Sequence, residues 1–555
     1  MSIHEEKNLP VWCAVLILAL AFLLIYPLWD IGLRDLFWDE GEYAAIVTEQ
    51  HSFPPDGRAH GVLTFSFMPL YPLLVKGLTM LGLGMEFSLR LISVVSLAGL
   101  TVMVGIVGTR MAGVQAGAAA AAVMFTTVLT GEKAVEGYPQ LLTVLLIFSG
   151  WLCWFFLGQF GGAWKLGWLT NGLFAGLAFY SGGWTALLYF LLPMMFLKRP
   201  FTPWRRLNNP GFPAGMLIIL AFILLWLIPR WVPGQSTGTF FGGGKSLPDY
   251  FVKCFYDLTD LAFRFLPWTF FLYAPFCAAL IAIDKNPLFS KYLRTLFVVS
   301  AVILLLNPFS KARDYLYLLP TFALLTGLNY EIVVRRHGNV LCKILRWTAI
   351  AAFLACTGAL LFDMLPGETL RRLTFLNEEY LKTRSNAPDT VNLCKAAGGM
   401  VLAAAAYILA FRKKNVWLII VLAFTSGMMF FWAVINPYRA SQRSRSELGM
   451  TLRQALGKSY RPDMTVYKDS SISGLYPECY YLGTRIQTIP LSGTKSLEEQ
   501  EVHLLSVSSI QPPDTTRTWQ KTLDVIYKGQ NLYMWKGILN DRKDGPENDI
   551  RNMRF

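Results

Sequence analysis

The stretch FWDEGEYAAI, Phe37–Ile46, sets three carboxylates, Asp39, Glu40 and Glu42, almost side by side. It follows VWCAVLILALAFLLIYPLW, an apolar run long enough to cross a bilayer. Acidic residues can simply decorate a solvated loop, but their company here points to chemistry at a membrane surface. EGEYAAIVTEQH has helical spacing, so Asp39, Glu42 and Tyr43 share a face at i, i+3 and i+4. Trp38 is placed to anchor at the interface. A carboxylate backed against an apolar surface is a better proton acceptor than one in bulk water, which suits it to general-base work. His51, Asp56 and His60 lie further along and could help hold a divalent cation, without the rigid spacing of a metal motif.

A second set of candidates is basic. SKARDYLYLLP (310–320) puts Lys311 and Arg313 at a helix start, where the dipole favours anions. Such a pair is either unfavourable or set to receive a phosphate, which helix amino termini bind readily. Tyr315 and Tyr317 add hydroxyl donors. Glu132, Lys133 and Glu136 precede another apolar run, and a solvated cap accounts for the first two. Arg264, before LPW, is an interfacial anchor or a further phosphate contact. GGGKSLPDYF (242–251) offers backbone amides and Lys245 but lacks the spacing of a phosphate loop.

These groups need a scaffold, and the composition says which kind. Of 555 residues, 54% are hydrophobic and only 15% charged, more apolar surface than a soluble domain can hide. Mean hydropathy is +0.42. The expectation is an all-α polytopic membrane protein of about 13 transmembrane helices. The apolar runs fall at 11–30, 87–108, 113–131, 138–158, 166–182, 184–197, 214–230, 266–283, 294–309, 314–330, 347–363, 394–411 and 415–435. FMPLYPLLVKGLTMLGLG (67–84) reads as an amphipathic surface helix broken by Pro69 and Pro72. The first run is not a cleavable signal, because no small-residue cleavage site follows it.

The net charge of +14 is explained by basic loops between spans, and nucleic acid is not expected as a partner. With the amino terminus cytoplasmic, LKRPFTPWRR (197–206), DKNPLFSKYLR (284–294), RRHGNVLCKILR (335–346) and FRKKN (411–415) all fall inside. The Asp39 loop, 131–140, 231–265, 310–314 and 364–393 then fall outside, with the tail. The eight cysteines form no CxxC and no metal spacing. Past Pro437 the pattern changes: MTVYKDSSISG and CYYLGTRIQTIPL read as strands, and TLDVIYKGQNLYMWKG as a hairpin about Lys528-Gly529. The expected organisation is a membrane domain over 1–436, with a catalytic first outer loop over 31–86, and a small C-terminal α/β soluble domain over 437–555.

The order WDEGEY, EKAVEGYPQLLTVLL, GLAFYSGGWTALLYFLLP, DLAFRFLPWTFFLYAPF and FSKARDYLYLLPTFALLTG resembles the polyprenyl-phosphate-sugar-dependent glycosyltransferases of the GT-C fold. These include the bacterial aminoarabinose transferases and the protein O-mannosyltransferases. The resemblance spans nearly the whole membrane part, and MTVYKDSSISGLYPECYYLGTRI resembles the outer soluble domain of the bacterial members. It implies Asp39 as catalytic base with Glu40 as its partner, and Glu136 as a second acidic residue. It implies Lys311 and Tyr315 in the lipid-phosphate cavity. Tyr43, Arg264 and Arg313, read from the residues themselves, are expected as further contacts to lipid phosphate or sugar. The resemblance also implies a polyprenyl-phosphate sugar donor, a lipid, glycan or protein acceptor, and a bacterial inner membrane with the tail periplasmic. The chain departs from the aminoarabinose transferases in three places. Glu42 stands where they have a basic residue, Phe67 where an EKPP-like stretch has lysine, and SGGW (181–184) where a TKGP-like stretch has lysine. Lys76, Arg90, Lys245, Arg264 or Arg313 would have to compensate. A transporter or flippase is the rival class, and a non-catalytic scaffold a third. Ionisable groups gathered at one face, rather than at mid-membrane, favour interfacial chemistry over transport.

Overall fold

The computed structural model describes residues 10–50, 57–64, 68–228, 247–281, 283–365, 390–413, 415–442, 444–472 and 474–540. Their contacts divide the chain into two units. One takes the described residues of 10–34 and 68–442; the other takes those of 35–50, 57–64 and 444–540. The Asp39 stretch thus groups with the C-terminal region, whereas the sequence reading draws its boundary at 436 and leaves that stretch with the membrane domain.

The first unit is helical. Seven of its described helices are long and apolar enough to cross a membrane, and four shorter apolar ones are Val11–Ile25, Leu70–Met80, Val114–Phe125 and Gly211–Leu227. The chain is a multi-pass membrane protein. Its helices turn large apolar side chains such as Val95, Val102, Ile106, Leu217 and Leu354 outward, at 59%, 60%, 63%, 65% and 63% exposure, as lipid contact requires. Small polar residues inside satisfy themselves locally: Thr101, Thr126, Thr143 and Thr425 each donate to the carbonyl four residues back.

The expected count of about 13 is not what the described residues give, for identifiable reasons. Runs 314–330 and 347–363 belong to one 46-residue helix, Leu319–Met364. Its RRHGNVLCKILR stretch looked like a loop, but Arg, Lys and Leu are good helix formers, it contains no proline, and the single Gly338 costs only about 1 kcal/mol. At 1.5 Å per residue that helix is about 69 Å long, more than twice the hydrocarbon thickness. Runs 166–182 and 184–197 both lie within Trp164–Met195, as two helical pieces that meet at a non-helical kink at Gly183, where φ is 67° and ψ is −150°. Run 266–283 is no span: Pro267 and Pro275 each remove a backbone donor. It forms the single turns Thr269–Phe271 and Ala274–Phe276 and the short helix Ala278–Ile281. Conversely, the expected loop 231–265 contains a helix, Leu247–Arg264. Nor do Pro69 and Pro72 break the surface helix. Leu70–Met80 is continuous because both prolines sit in its first turn, where their missing donors are not needed.

The second unit carries a helix, Asp39–Glu49, and a short ribbon of β1 (Arg58–Ala59) and β2 (Val62–Leu63). Its main sheet has five strands: β3 (Thr465–Asp469), β4 (Arg485–Ile489), β5 (Glu501–Ser506), β6 (Arg517–Tyr527) and β7 (Gln530–Leu539). The order is β4-β3-β5-β7-β6, parallel across β4-β3-β5 and antiparallel beyond. The β6–β7 hairpin turns at Lys528-Gly529, both at positive φ (51° and 79°), as a two-residue turn with the right twist demands. CYY (479–481), read as strand, instead ends the helix Tyr476–Leu482, which follows Pro477 at its first turn. Alternation along the strands builds two cores. Val466, Leu505 and Met534 face the helices Ser446–Leu456 and Tyr476–Leu482, while Tyr467, Leu504 and Tyr533 pack on the other side.

Candidate functional site

In the second unit the Asp39–Glu49 helix is held by close fit. Trp38 immediately before it has φ 40° and ψ −113°, a conformation a bulky residue adopts only under constraint. The constraint is visible: the Arg445 guanidinium lies 5.5 Å from the Phe37 ring and 5.6 Å from the Trp38 ring, and Lys528 Nζ lies 5.5 Å from Trp38. Arg445 in turn donates to Glu478 at 3.0 Å and Tyr527 at 2.7 Å. Gly41 has no room for a side chain: a Cβ there would come within 2.4 Å of Pro477 N. Glu40 is buried, and its Oε2 accepts from Phe37 N at 3.0 Å, so it closes the first turn. This local job is what the structure adds for the expected partner of Asp39. Asp39, Glu42 and Tyr43 are half-buried on the same helix.

Asp35, which the sequence reading passed over, is the anchor of the stretch. Its Oδ2 accepts from Arg445 N, Ser446 N, Ser446 Oγ and Ser444 Oγ at 2.8 to 3.1 Å. Burial alone would raise its pKa, but these donors outweigh burial and hold the carboxyl below its usual value. At the far end of the helix, Glu49 accepts from His60 N at 2.7 Å and Gly61 N at 3.0 Å.

The His60 ring lies 4.7 Å from the Tyr476 ring, with Nδ1 3.3 Å from Lys468 Nζ. Burial, and then the Lys468 charge, push its pKa down to about 3, and burial lowers that of Lys468 as well. A histidine facing an ammonium group is poorly placed to receive a metal cation. His51 and Asp56, its suggested companions, lie outside the described residues. No three His, Cys, Asp or Glu side chains among the described residues are arranged to hold a metal ion.

In the first unit Arg264, and Lys253 beside it on the same helix, are held by opposite charge. Tyr315 is buried and its hydroxyl donates to Asp257 Oδ1 at 3.3 Å. Asp257 Oδ2 also takes Lys253 Nζ at 2.7 Å and Ser310 Oγ at 3.0 Å. Arg264 bonds Glu132 at 2.5 Å and Asp260 at 2.7 Å. Lys253, Asp257, Asp260 and Arg264 thus line one face of the Leu247–Arg264 helix, opposite an apolar face with Phe251, Phe255 and Leu258 exposed. Their i, i+4 pairing, K-x3-D and D-x3-R, was the signal that could have revealed both helix and cluster.

Asp314 was likewise missed. Its Oδ2 accepts from Lys311 N at 2.8 Å, so the first turn of Ala312–Leu318 carries the anion its dipole favours. The Arg313 guanidinium lies 4.7 Å from the Tyr138 ring, and Tyr317 stacks on Tyr189 at 4.2 Å. Glu136 pairs with Lys133 at 2.9 Å, and Arg34 donates to Val135 O, so 133–138 and Arg313 gather in one place. Arg90, a suggested compensating cation, is fully buried and donates to the carbonyls of Ile31 and Arg34. Phe67 and Lys245 lie outside the described residues.

No protein-family model matches the chain, and no curated protein sequence matches it. Among solved structures, it matches ArnT from Cupriavidus metallidurans in the apo state at a TM-score of 0.66. That match has 16% identity and covers 94% of this chain and 97% of the other. ArnT from the same organism bound to undecaprenyl phosphate matches at TM-score 0.66 and 15% identity, over 95% of this chain and 98% of that one. The chain therefore has the fold of ArnT, the GT-C architecture that the order of its motifs led us to expect.

Proposed function

We propose that the chain is a membrane glycosyltransferase that moves a sugar from a polyprenyl-phosphate donor to an acceptor hydroxyl. The observation that carries this reading is the end-to-end match to a fold seen holding undecaprenyl phosphate in ArnT. In this reading Asp39 is the general base. The acceptor oxygen attacks the anomeric carbon, its proton passes to an Asp39 Oδ, and the bond from carbon to phosphate oxygen breaks. A single displacement of this kind inverts the anomeric configuration. Negative charge grows on the departing phosphate, and cations stabilise it; Lys311, Arg313 and Arg264 are the candidates, with Tyr315 and Tyr43 as hydroxyl donors. Glu136 is the candidate second acidic residue, and Glu40 sets the turn that carries Asp39.

The membrane domain and the C-terminal domain divide the work, the first holding the lipid and the second shaping acceptor access. Transfer takes place at the outer face of a bacterial inner membrane, with the amino terminus cytoplasmic and the C-terminal domain periplasmic.

The test is a transfer assay on purified protein in lipid, offering a panel of polyprenyl-phosphate sugars. Asp39→Asn is isosteric and should fold normally while losing about 10²- to 10⁴-fold in turnover, the usual contribution of a general base. Undiminished turnover in that variant removes Asp39 from the mechanism. Uptake of labelled lipid without any glycosylated product would make the chain a transporter instead.

A further inference from the structure

The helix that begins at Asp39 ends at Glu49, about 15 Å further along its axis. There, within the same unit, it borders a half-open cavity of about 370 Å³. Ala45, Cys479 and Ile486 supply apolar wall; Glu49, Thr484 and Arg485 supply polar wall. The Glu49 carboxylate is fixed by the two backbone N–H groups of His60 and Gly61. Thr484 Oγ1 has no hydrogen-bond partner. Among the described residues the Arg485 guanidinium makes no ion pair and no hydrogen bond. His60 adds an imidazole held on Tyr476.

These walls select against most ligands. An anion gains from Arg485 but is repelled by Glu49, and a cation meets the reverse. An apolar ligand would leave the buried Thr484 Oγ1 without a partner, which a buried polar atom tolerates badly. A neutral polyol suits all of them: its hydroxyls donate to the carboxylate and accept from the guanidinium, and its C–H faces rest on Ala45 and Ile486. The volume lies in the range of small-molecule sites, while an extended peptide needs a groove.

We propose that this cavity binds a neutral sugar residue of the acceptor, so that the acceptor is a sugar-bearing molecule. The assignment rests on the transferase reading above for the word acceptor, and on the cavity alone for the sugar. It gives the Asp39–Glu49 helix two ends with separate tasks, one binding and one reacting.

The experiment is ligand-observed saturation-transfer NMR on the full chain in lipid nanodiscs. The probes are methyl glycosides of hexoses and N-acetylhexosamines, their octyl counterparts, inorganic phosphate, and a Ser- and Thr-containing tripeptide. At least one glycoside should bind. Arg485→Leu should weaken it about tenfold or more, as loss of a charged hydrogen bond does, and Thr484→Val should weaken it less. The Arg485 side chain is exposed, so its removal leaves the fold intact.

Binding of methyl and octyl forms alike identifies a free glycan, and binding of octyl forms alone a glycolipid headgroup; either supports the proposal. Failure of every glycoside, binding untouched by both variants, or binding of phosphate or tripeptide alone overturns it. Donor-dependent transfer without glycoside binding sinks the cavity assignment and leaves the transferase standing. Glycoside binding in a protein that transfers from no donor does the opposite.

Discussion

Around Asp39 the chain is held by fit, and around Tyr315 it is held by charge. Gly41 is pressed against Pro477, and Glu40 is buried under its own turn, so the start of the Asp39–Glu49 helix is defined by shape. Tyr315 and Ser310 instead converge on Asp257, itself paired with Lys253, and Arg264 is shared between Glu132 and Asp260. Under the proposed function the two regions would have different tasks. A base must point in one direction, and close packing fixes direction well. A phosphate site must tolerate a charge that arrives and leaves, and a network of paired ions can exchange partners as it does so.

Three changes would break or sharpen that contrast. The largest effect is expected from Asp257→Asn, which leaves Lys253 without its anion. Both side chains are shielded, 16% and 6% exposed, so the fold should lose about 4 kcal/mol. A melting temperature unchanged in lipid would show that charge does not hold this segment. Gly41→Ala comes next, at about 3 kcal/mol, because its methyl meets backbone and ring atoms that cannot swing aside. It should appear as faster hydrogen exchange over 39–49; unaltered protection would remove fit as the explanation.

The smallest effect is a pH dependence. Unfolded, His60 takes a proton near 6.5, whereas folded it holds off until about 3. Its folded pKa is lowered, so stability falls as pH drops below 6.5. Between pH 7 and pH 5 the loss is about 2 kcal/mol. His60→Gln should flatten that slope in exchange measurements on 464–539, and a slope equal to wild type would place the titration elsewhere.

The membrane character and the Lys528-Gly529 hairpin were legible in the sequence, because lipid burial and turn chemistry are written in residue type; the GT-C fold was legible through the resemblance that the order of its motifs carries. The ties between distant residues were not. Nothing in WDEGEY announces that Gly41 is shaped by Pro477, or that Asp35 caps a helix beginning at Ser446, since each depends on chain that returns hundreds of residues later. Helix limits failed where charge mimicked a loop, as at Arg335 and Arg336, or where an amphipathic pattern was mistaken for one, as at Lys253 to Arg264. Both cases are visible in hindsight as i, i+4 regularity.

The SGGW stretch limits what can be engineered there. At Gly182 any Cβ would come within 2.7 Å of Thr143 Cγ2 and 2.9 Å of its Oγ1. The next residue, Gly183, has φ 67° and ψ −150°. A lysine introduced at 182 would therefore arrive in a place already filled, and Thr143 would have to give way before a cation could be lodged at that position.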